Sequence, residues 1–456
     1  MPEADLILRG RNVAVQDHGK TIVRPASIHI RSGSIFEIAG FEEVPDGGSI
    51  ETVRDESVIM AGLVDSHVHI NEPGRTHWEG FVTATRAAAA GGVTTLVDMP
   101  LNSIPPTTTP EAFQAKLTAA AGNCFVDVGF WGGVVPGNTA ELSALGDMGV
   151  VGFKCFLIHS GVDEFPNVTE NDLRGAMGEL SRLNSVLIVH AELPGPVEAA
   201  CCAASSHSSV QYQTFLDARP RAAENAAVEL MIRLSREFGT RIHIVHHSSA
   251  DALPMLRAAK DEGVKITAET CPHYLYFAAE QIADGATQFK CCPPIREQEN
   301  QEQLWRALGE GTIDMVVSDH SPCPPDLKCL DEGDFMKAWG GISSLQFRLP
   351  IMWTGASRRG HSLAELTRWL CAAPAELVGF EKRKGKLAVG YDADIVVWNP
   401  NQEFRVEPEI IHHRHRVTPY QGEVLKGVVQ KTFLRGGKIY DGGEFFGDAS
   451  GELLRQ

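Results

Sequence analysis

The chain has 456 residues, of which 43% are hydrophobic and 22% charged, and carries a formal net charge of −17; that is enough length for one large core and a smaller accessory unit. The acidic balance argues against nucleic acid or an anionic membrane as partner, since either needs a basic face, and no run approaches the roughly 18 apolar residues of a membrane span. Residues 1–10 lack the basic-then-apolar pattern of a secretory signal, and the ten cysteines contain no CxxC pair; an intracellular location is expected, cytoplasmic with organelles left open.

Residues 5–55 alternate short β-type runs with turns. From about residue 56 the pattern changes. Valine- and isoleucine-rich runs at 58–69, 93–98, 124–130, 150–154, 186–190, 242–246, 265–270 and 313–319 read as buried parallel strands. Amphipathic stretches at 80–90, 110–121, 139–148, 171–183, 222–238, 250–261 and 299–308 read as the helices between them, punctuated by Pro110 and by Gly91, Gly149, Gly239 and Gly263. Strand and helix in alternation over this length predict an α/β fold, a (β/α)8 TIM-type barrel. Residues 386–440 return to short β runs. Neither end has enough strands to bury a face alone, so the expectation is a small β-sandwich domain built from 1–55 and 386–456, with the barrel, 56–385, between them.

Five of the barrel runs carry at or near their C-terminal ends a residue able to bind a metal or move a proton: His67 and His69, Lys154, His190, His246 and Asp319. On a strand, residues i and i+2 share a face, so both imidazoles of His67-Val68-His69 can reach one metal. Of the doublet His246-His247, only one can face inward by alternation, and His246 is the candidate. Lys154 is the anomaly, because an ammonium cannot ligate a cation. If it is buried, its pKa falls, and the neutral amine can take up carbon dioxide as an anionic carbamate with two oxygens. Such a group can be shared by two divalent ions, with His67, His69 and Asp319 on one and His190 and His246 on the other. Two ions so placed can activate a water and polarise a carbonyl, and Asp319 is then the candidate catalytic proton carrier.

The blocks Asp65-Ser66-His67-Val68-His69, Asn71-Glu72-Pro73-Gly74-Arg75 with Trp78-Glu79-Gly80, Gly152-Phe153-Lys154-Cys155-Phe156, Ser318-Asp319-His320-Ser321-Pro322-Cys323-Pro324-Pro325 and Met336-Lys337-Ala338-Trp339-Gly340-Gly341 resemble the cyclic amidohydrolases and, within them, the allantoinases. The resemblance covers essentially the whole chain. It implies a metal-dependent hydrolase with Lys154 as N6-carboxylysine that opens the hydantoin ring of allantoin to allantoate, with a small-molecule substrate as its partner, and a homotetramer. Histidine and carboxylate donors suit zinc, iron, cobalt or manganese, and zinc is the expected ion.

Departures from the sister families bear on the substrate. Dihydroorotases carry an arginine two residues after the HxH pair, where this chain has Asn71; dihydropyrimidinases carry a tyrosine five residues after the lysine, where it has His159. The serine and asparagine that hold the ring in those enzymes are replaced by Cys292 and Gly340. His159, Cys292 and Gly340 are therefore the candidate substrate-binding residues. The alternatives are a dihydropyrimidinase or hydantoinase acting on another cyclic ureide, and an inactive relative serving as a binding or assembly module. Arg75, Trp78 and Glu79 either shape the pocket mouth or pack; Asp98 reads as structural; His273 and His320 are candidates for orienting the ligands; Cys323 is surplus to the ligand count.

Overall fold

The computed structural model describes residues 4–44, 48–204 and 206–456. Its centre is a ring of parallel strands: β1 (Leu63–Val68), β2 (Val93–Asp98), β3 (Asp127–Phe130), β4 (Phe153–Phe156), β5 (Val186–His190), β6 (Arg241–Ile244), β7 (Ile266–Thr270) and β8 (Met315–Val316). Nearly every residue in them is buried, as expected for strands packed on both faces. β1 pairs with β2 and β2 with β3, while β4 to β8 pair in succession. Two short links close the ring. Gly132–Gly133, just past β3, pairs with Phe153 and Lys154 of β4, and Val68 of β1 bridges His320 beyond β8.

The expected helices lie within about two residues of their sequence positions. Thr109 and Thr169 cap two of them with their side chains, Thr169 in a reciprocal box with Asp172, which satisfies backbone donors that a helix start leaves open. Two further helices, Pro194–Ala204 and Tyr212–Ala218, precede Arg221–Phe238. Their small, glycine-, proline- and cysteine-containing stretch has too little apolar periodicity to announce them.

The run 58–69 is not one strand. Val58–Ala61 belongs to the terminal sheet, where it runs antiparallel to Ile395–Arg405 and parallel to the segment around Asn12 and Val13. The chain crosses into the barrel at Gly62, whose N–H donates to Asp394 O at 2.9 Å. A Cβ at that point would overlap the Thr94 side chain. Strands from both ends of the chain are thus hydrogen-bonded in one nine-stranded sheet.

Beneath the barrel, buried Lys384 lies between Asp127 of β3, Asp392 and Asp394, with Arg435 also against Asp127. Buried charges persist only when paired in this way, and the cluster fastens the sheet to the barrel. The last residues run alongside β3 instead of the sheet, with Leu454 N donating to Val128 O at 2.8 Å. The expected strand 124–130 begins only at Asp127, Cys124 having its carbonyl bonded to Gly451 N.

Candidate active site

A cavity of about 340 Å³ opens beyond the strand ends, and His67, His69, Lys154, His190, His246 and Asp319 all line it. His67 and His69 come from the end of β1, Lys154 from within β4, and His190 from the last residue of β5. β6 stops at Ile244, two residues short of His246, and β8 stops at Val316, three short of Asp319. Both residues take a left-handed backbone, with φ 37° and 44°. That conformation is costly for a residue with a Cβ, and it persists where the surroundings enforce it, most often at functional sites.

The donor atoms converge in two groups. Asp319 Oδ1 lies 3.2 Å from His67 Nε2 and 3.7 Å from His69 Nε2. His190 Nδ1 lies 2.9 Å from His246 Nε2. The other nitrogen of His190 faces Glu192 Oε2 at 2.7 Å, and a carboxylate only accepts, so that nitrogen carries the proton. His190 Nδ1 therefore directs a lone pair at His246, a contact that needs a proton or a cation between the two rings. Lys154 Nζ, on the wall of the same cavity, is buried without a hydrogen-bond partner among the described residues, 5.0 Å from the centre of the Phe156 ring. An unpartnered buried amine is costly.

Burial pushes Lys154 down to about 8, against the opposing field of Asp319, and pushes Asp319 up to about 8, against that of Lys154. Both are driven toward neutral forms. His67, His69 and His246 are held well below the usual histidine range, chiefly by burial, so that all three present neutral imidazoles. Neutral imidazole is the form a divalent ion requires and the free amine the form carbon dioxide requires, whereas Asp319 must give up its proton before it can ligate an ion.

A second ring of residues orients these donors. Glu269, at the end of β7, lies 2.6 Å from His67 Nδ1 and 3.0 Å from His243 Nε2. It fixes the His67 proton on Nδ1 and leaves Nε2 free toward the cavity. Asn102 is 3.2 Å from His69 Nδ1 through its nitrogen, while its buried oxygen has no partner. Turning that amide over lets the oxygen accept from His69 Nδ1–H and frees Nε2 in the same way. Glu269→Gln is expected to weaken divalent-metal affinity roughly 10- to 100-fold, read by titration against a competing chelator; unchanged affinity would remove Glu269 from this role.

The amidohydrolase family model matches residues 58–439 of the sequence. The chain belongs to the amidohydrolase family. It is similar to the allantoinase of Streptomyces avermitilis, 50% identical over 455 residues that cover 100% of this chain and 99% of that protein. The allantoinase of Saccharomyces cerevisiae is 48% identical over 429 residues, covering 91% and 92% of the two chains. Among solved structures, the L-hydantoinase (dihydropyrimidinase) of Arthrobacter aurescens matches with a TM-score of 0.92 and 29% identity, covering 99% of this chain and 100% of that one. The family is metal-dependent, and His67, His69 and Asp319 form a candidate metal-binding group here.

In this amidohydrolase His159, Cys292 and Gly340 also border the cavity. His159 sits at the exposed mouth, accepting from Gly161 N at 3.1 Å and facing Asp163 at 3.4 Å. Cys292 and Gly340 touch one another, a Cβ on Gly340 falling 2.9 Å from Cys292 Sγ. Arg75, Trp78 and Glu79 do not line the cavity. Trp78 instead packs edge-on against the cavity residue Trp339 at 4.8 Å, with Arg75 over its own ring. Glu79 is buried against His320 and the backbone of Arg414. Asp98 pairs with Lys116 and accepts from Ile70 N, a structural role. His273 is grouped with Cys271 and Asp319, donor atoms within 4.8 Å of one another. Glu192, Glu269, Asn102 and Arg219 went unnoticed in the sequence. Glu269 alone had a signal, an acidic residue inside the apolar run 265–270.

Proposed function

We propose that this amidohydrolase hydrolyses a ring amide of allantoin to give allantoate. The observation that carries the reading is full-length similarity to allantoinases, at 48–50% identity, against 29% to the hydantoinase that shares the fold. The inactive-relative reading has no support, since a dead site should have lost donors and every expected donor position is filled.

His67, His69 and Asp319 would hold one divalent ion and His190 and His246 another, with zinc the proposed metal. Lys154 would serve both as a carbamate, formed when its neutral amine attacks carbon dioxide and releases a proton. The His190 Nδ1 lone pair directed at His246, and the unpartnered Lys154 amine, are what the arrangement offers to such ions. When bound, the ions supply a more acidic water and a polarised ring carbonyl. Asp319 takes the proton of the attacking water and passes it to the leaving ring nitrogen, and burial favours the protonated carboxyl that must make this second transfer. His159, Cys292 and Gly340 would border the ring.

The division into a barrel, 56–385, and a unit of both ends, 1–55 and 386–456, is part of the same reading, as are a homotetramer and a cytoplasmic location. Among the described residues no helix is long and apolar enough to cross a membrane. The test is turnover of allantoin, dihydrouracil and dihydroorotate by the metal-loaded protein. Allantoin is expected to be preferred by at least about 100-fold in kcat/KM, equivalent to nearly 3 kcal/mol of selective stabilisation. Preference for dihydrouracil would move the assignment to the dihydropyrimidinases.

A further inference from the structure

Arg219 is the cation on the cavity wall with a fixed direction and a donor to spare. It follows the helix Tyr212–Ala218. Its Nε and Nη2 donate to the two oxygens of Glu192 at 3.1 and 2.7 Å, a forked pair that sets the plane of the guanidinium. Glu192 is fully buried and also receives His190 Nε2. Arg219 and His190 together hold its carboxyl far below the usual range against the opposing effect of burial. The Arg219 carbonyl accepts from Arg296 Nη2 at 3.4 Å, which steadies the residue from the backbone side.

Nη1 of Arg219, by contrast, has no hydrogen-bond partner among the described residues, and the side chain is 18% exposed and lines the cavity. Of the other cations on this wall, apart from Lys154 among the donors, one is engaged and one is exposed. Lys290 donates to Met336 O and lies over the Phe215 ring, and Lys337 is 78% exposed beside Asp334. A guanidinium with one nitrogen left over, oriented by a buried carboxylate, presents N–H groups to a planar carbonyl acceptor.

Allantoin is a hydantoin ring bearing a ureido group. Its scissile amide must sit at the cluster of donors, and the ureido group projects outward from there. Arg219 stands one residue, Glu192, beyond His190. We propose that Arg219 is a substrate-binding residue whose Nη1 donates to the carbonyl oxygen of the ureido group, making it a determinant of allantoin over rings without that group. The inference rests on the allantoin reading.

Arg219→Met and Arg219→Lys are compared with the wild type on allantoin and on unsubstituted hydantoin, the latter as substrate or as competitive inhibitor, with metal content measured for each protein. In Arg219→Met, kcat/KM on allantoin is expected to fall roughly 10- to 100-fold, mainly through KM, as for loss of a charged hydrogen bond. Any fall on hydantoin is expected to be at least about fivefold smaller than that on allantoin, and Arg219→Lys should recover part of the loss. Equal falls on both rings, or a fall that tracks lost metal, would overturn the proposal and leave Arg219 only steadying Glu192 and His190. A wild type inactive on allantoin would instead overturn the function reading, and this proposal with it. Should Arg219→Met not fold, the wild type alone decides: hydantoin should bind at least about tenfold more weakly than allantoin, and equal binding overturns the assignment.

Discussion

Lys154→Ala is expected to lower hydrolysis by about a thousandfold or more and to reduce bound metal well below two ions per chain. The side chain is buried, has no hydrogen-bond partner among the described residues and lines the same cavity as both donor groups. Alanine removes no hydrogen bond of the described residues, so the expected loss is chiefly functional. Several kcal/mol of charge stabilisation depend on ions in place, and each 1.4 kcal/mol is a factor of ten. Short carboxylates such as acetate or propionate, which supply two oxygens in the vacated space, are expected to restore part of the activity. The pH dependence has a definite sign. Only the neutral amine takes up carbon dioxide, and burial pushes Lys154 down to about 8 from an ordinary value of 10.5. Reactivation of metal-free protein by carbon dioxide and metal should therefore slow as pH falls below about 8, and it should proceed readily where an exposed lysine would still be charged. A Lys154→Ala protein with both ions and full turnover would overturn the carbamate.

Asp319→Asn is expected to reduce kcat by about 10²- to 10⁴-fold, the range for a removed proton carrier, with KM little changed and metal largely retained. Asparagine keeps the size and one oxygen, so His67 and His69 still face an acceptor at the position that Asp319 Oδ1 occupies 3.2 and 3.7 Å away. It cannot take a proton from water or return one to the ring nitrogen. Metal content separates this loss from simple failure to load. Near-normal turnover with metal bound would transfer the proton-carrying role to another group; His273, whose ring lies beside Asp319 with neither nitrogen bonded among the described residues, would be the first to examine.

Much of this was legible from one-dimensional pattern. Apolar runs bounded by helical stretches marked the barrel strands, because burial on both faces demands unbroken apolar sequence. His67 and His69 were readable as a pair because strand alternation puts i and i+2 on one side. Lys154 stood out because a lysine in an apolar strand has no ordinary reason to be there. The single strand expected over 58–69 was a misreading with a physical cause: hydropathy does not distinguish a terminal sheet from a barrel when both bury the same residue types. What divides the run is the close approach of Thr94 to Gly62. The preference for His246 over His247 was correct about which lines the cavity, but strand alternation is not what turns it inward. The strand has already ended at Ile244, and a left-handed turn at His246 directs the ring.

The sequence by itself determined the barrel, six candidate donor residues that line one cavity, and the class of chemistry they suit, since those depend on residue type and local periodicity. The tertiary structure decided how the donors are aimed. Glu269 lies 202 positions from His67, Asn102 lies 33 from His69, and Arg219 reaches Glu192 across 27 residues. No spacing rule connects them, because their meeting is set by ring closure between β1 and β8 and by where each loop returns over the barrel. The choice of which histidine nitrogen stays free, and of which cation on the wall has a donor left for substrate, depends on those long-range contacts.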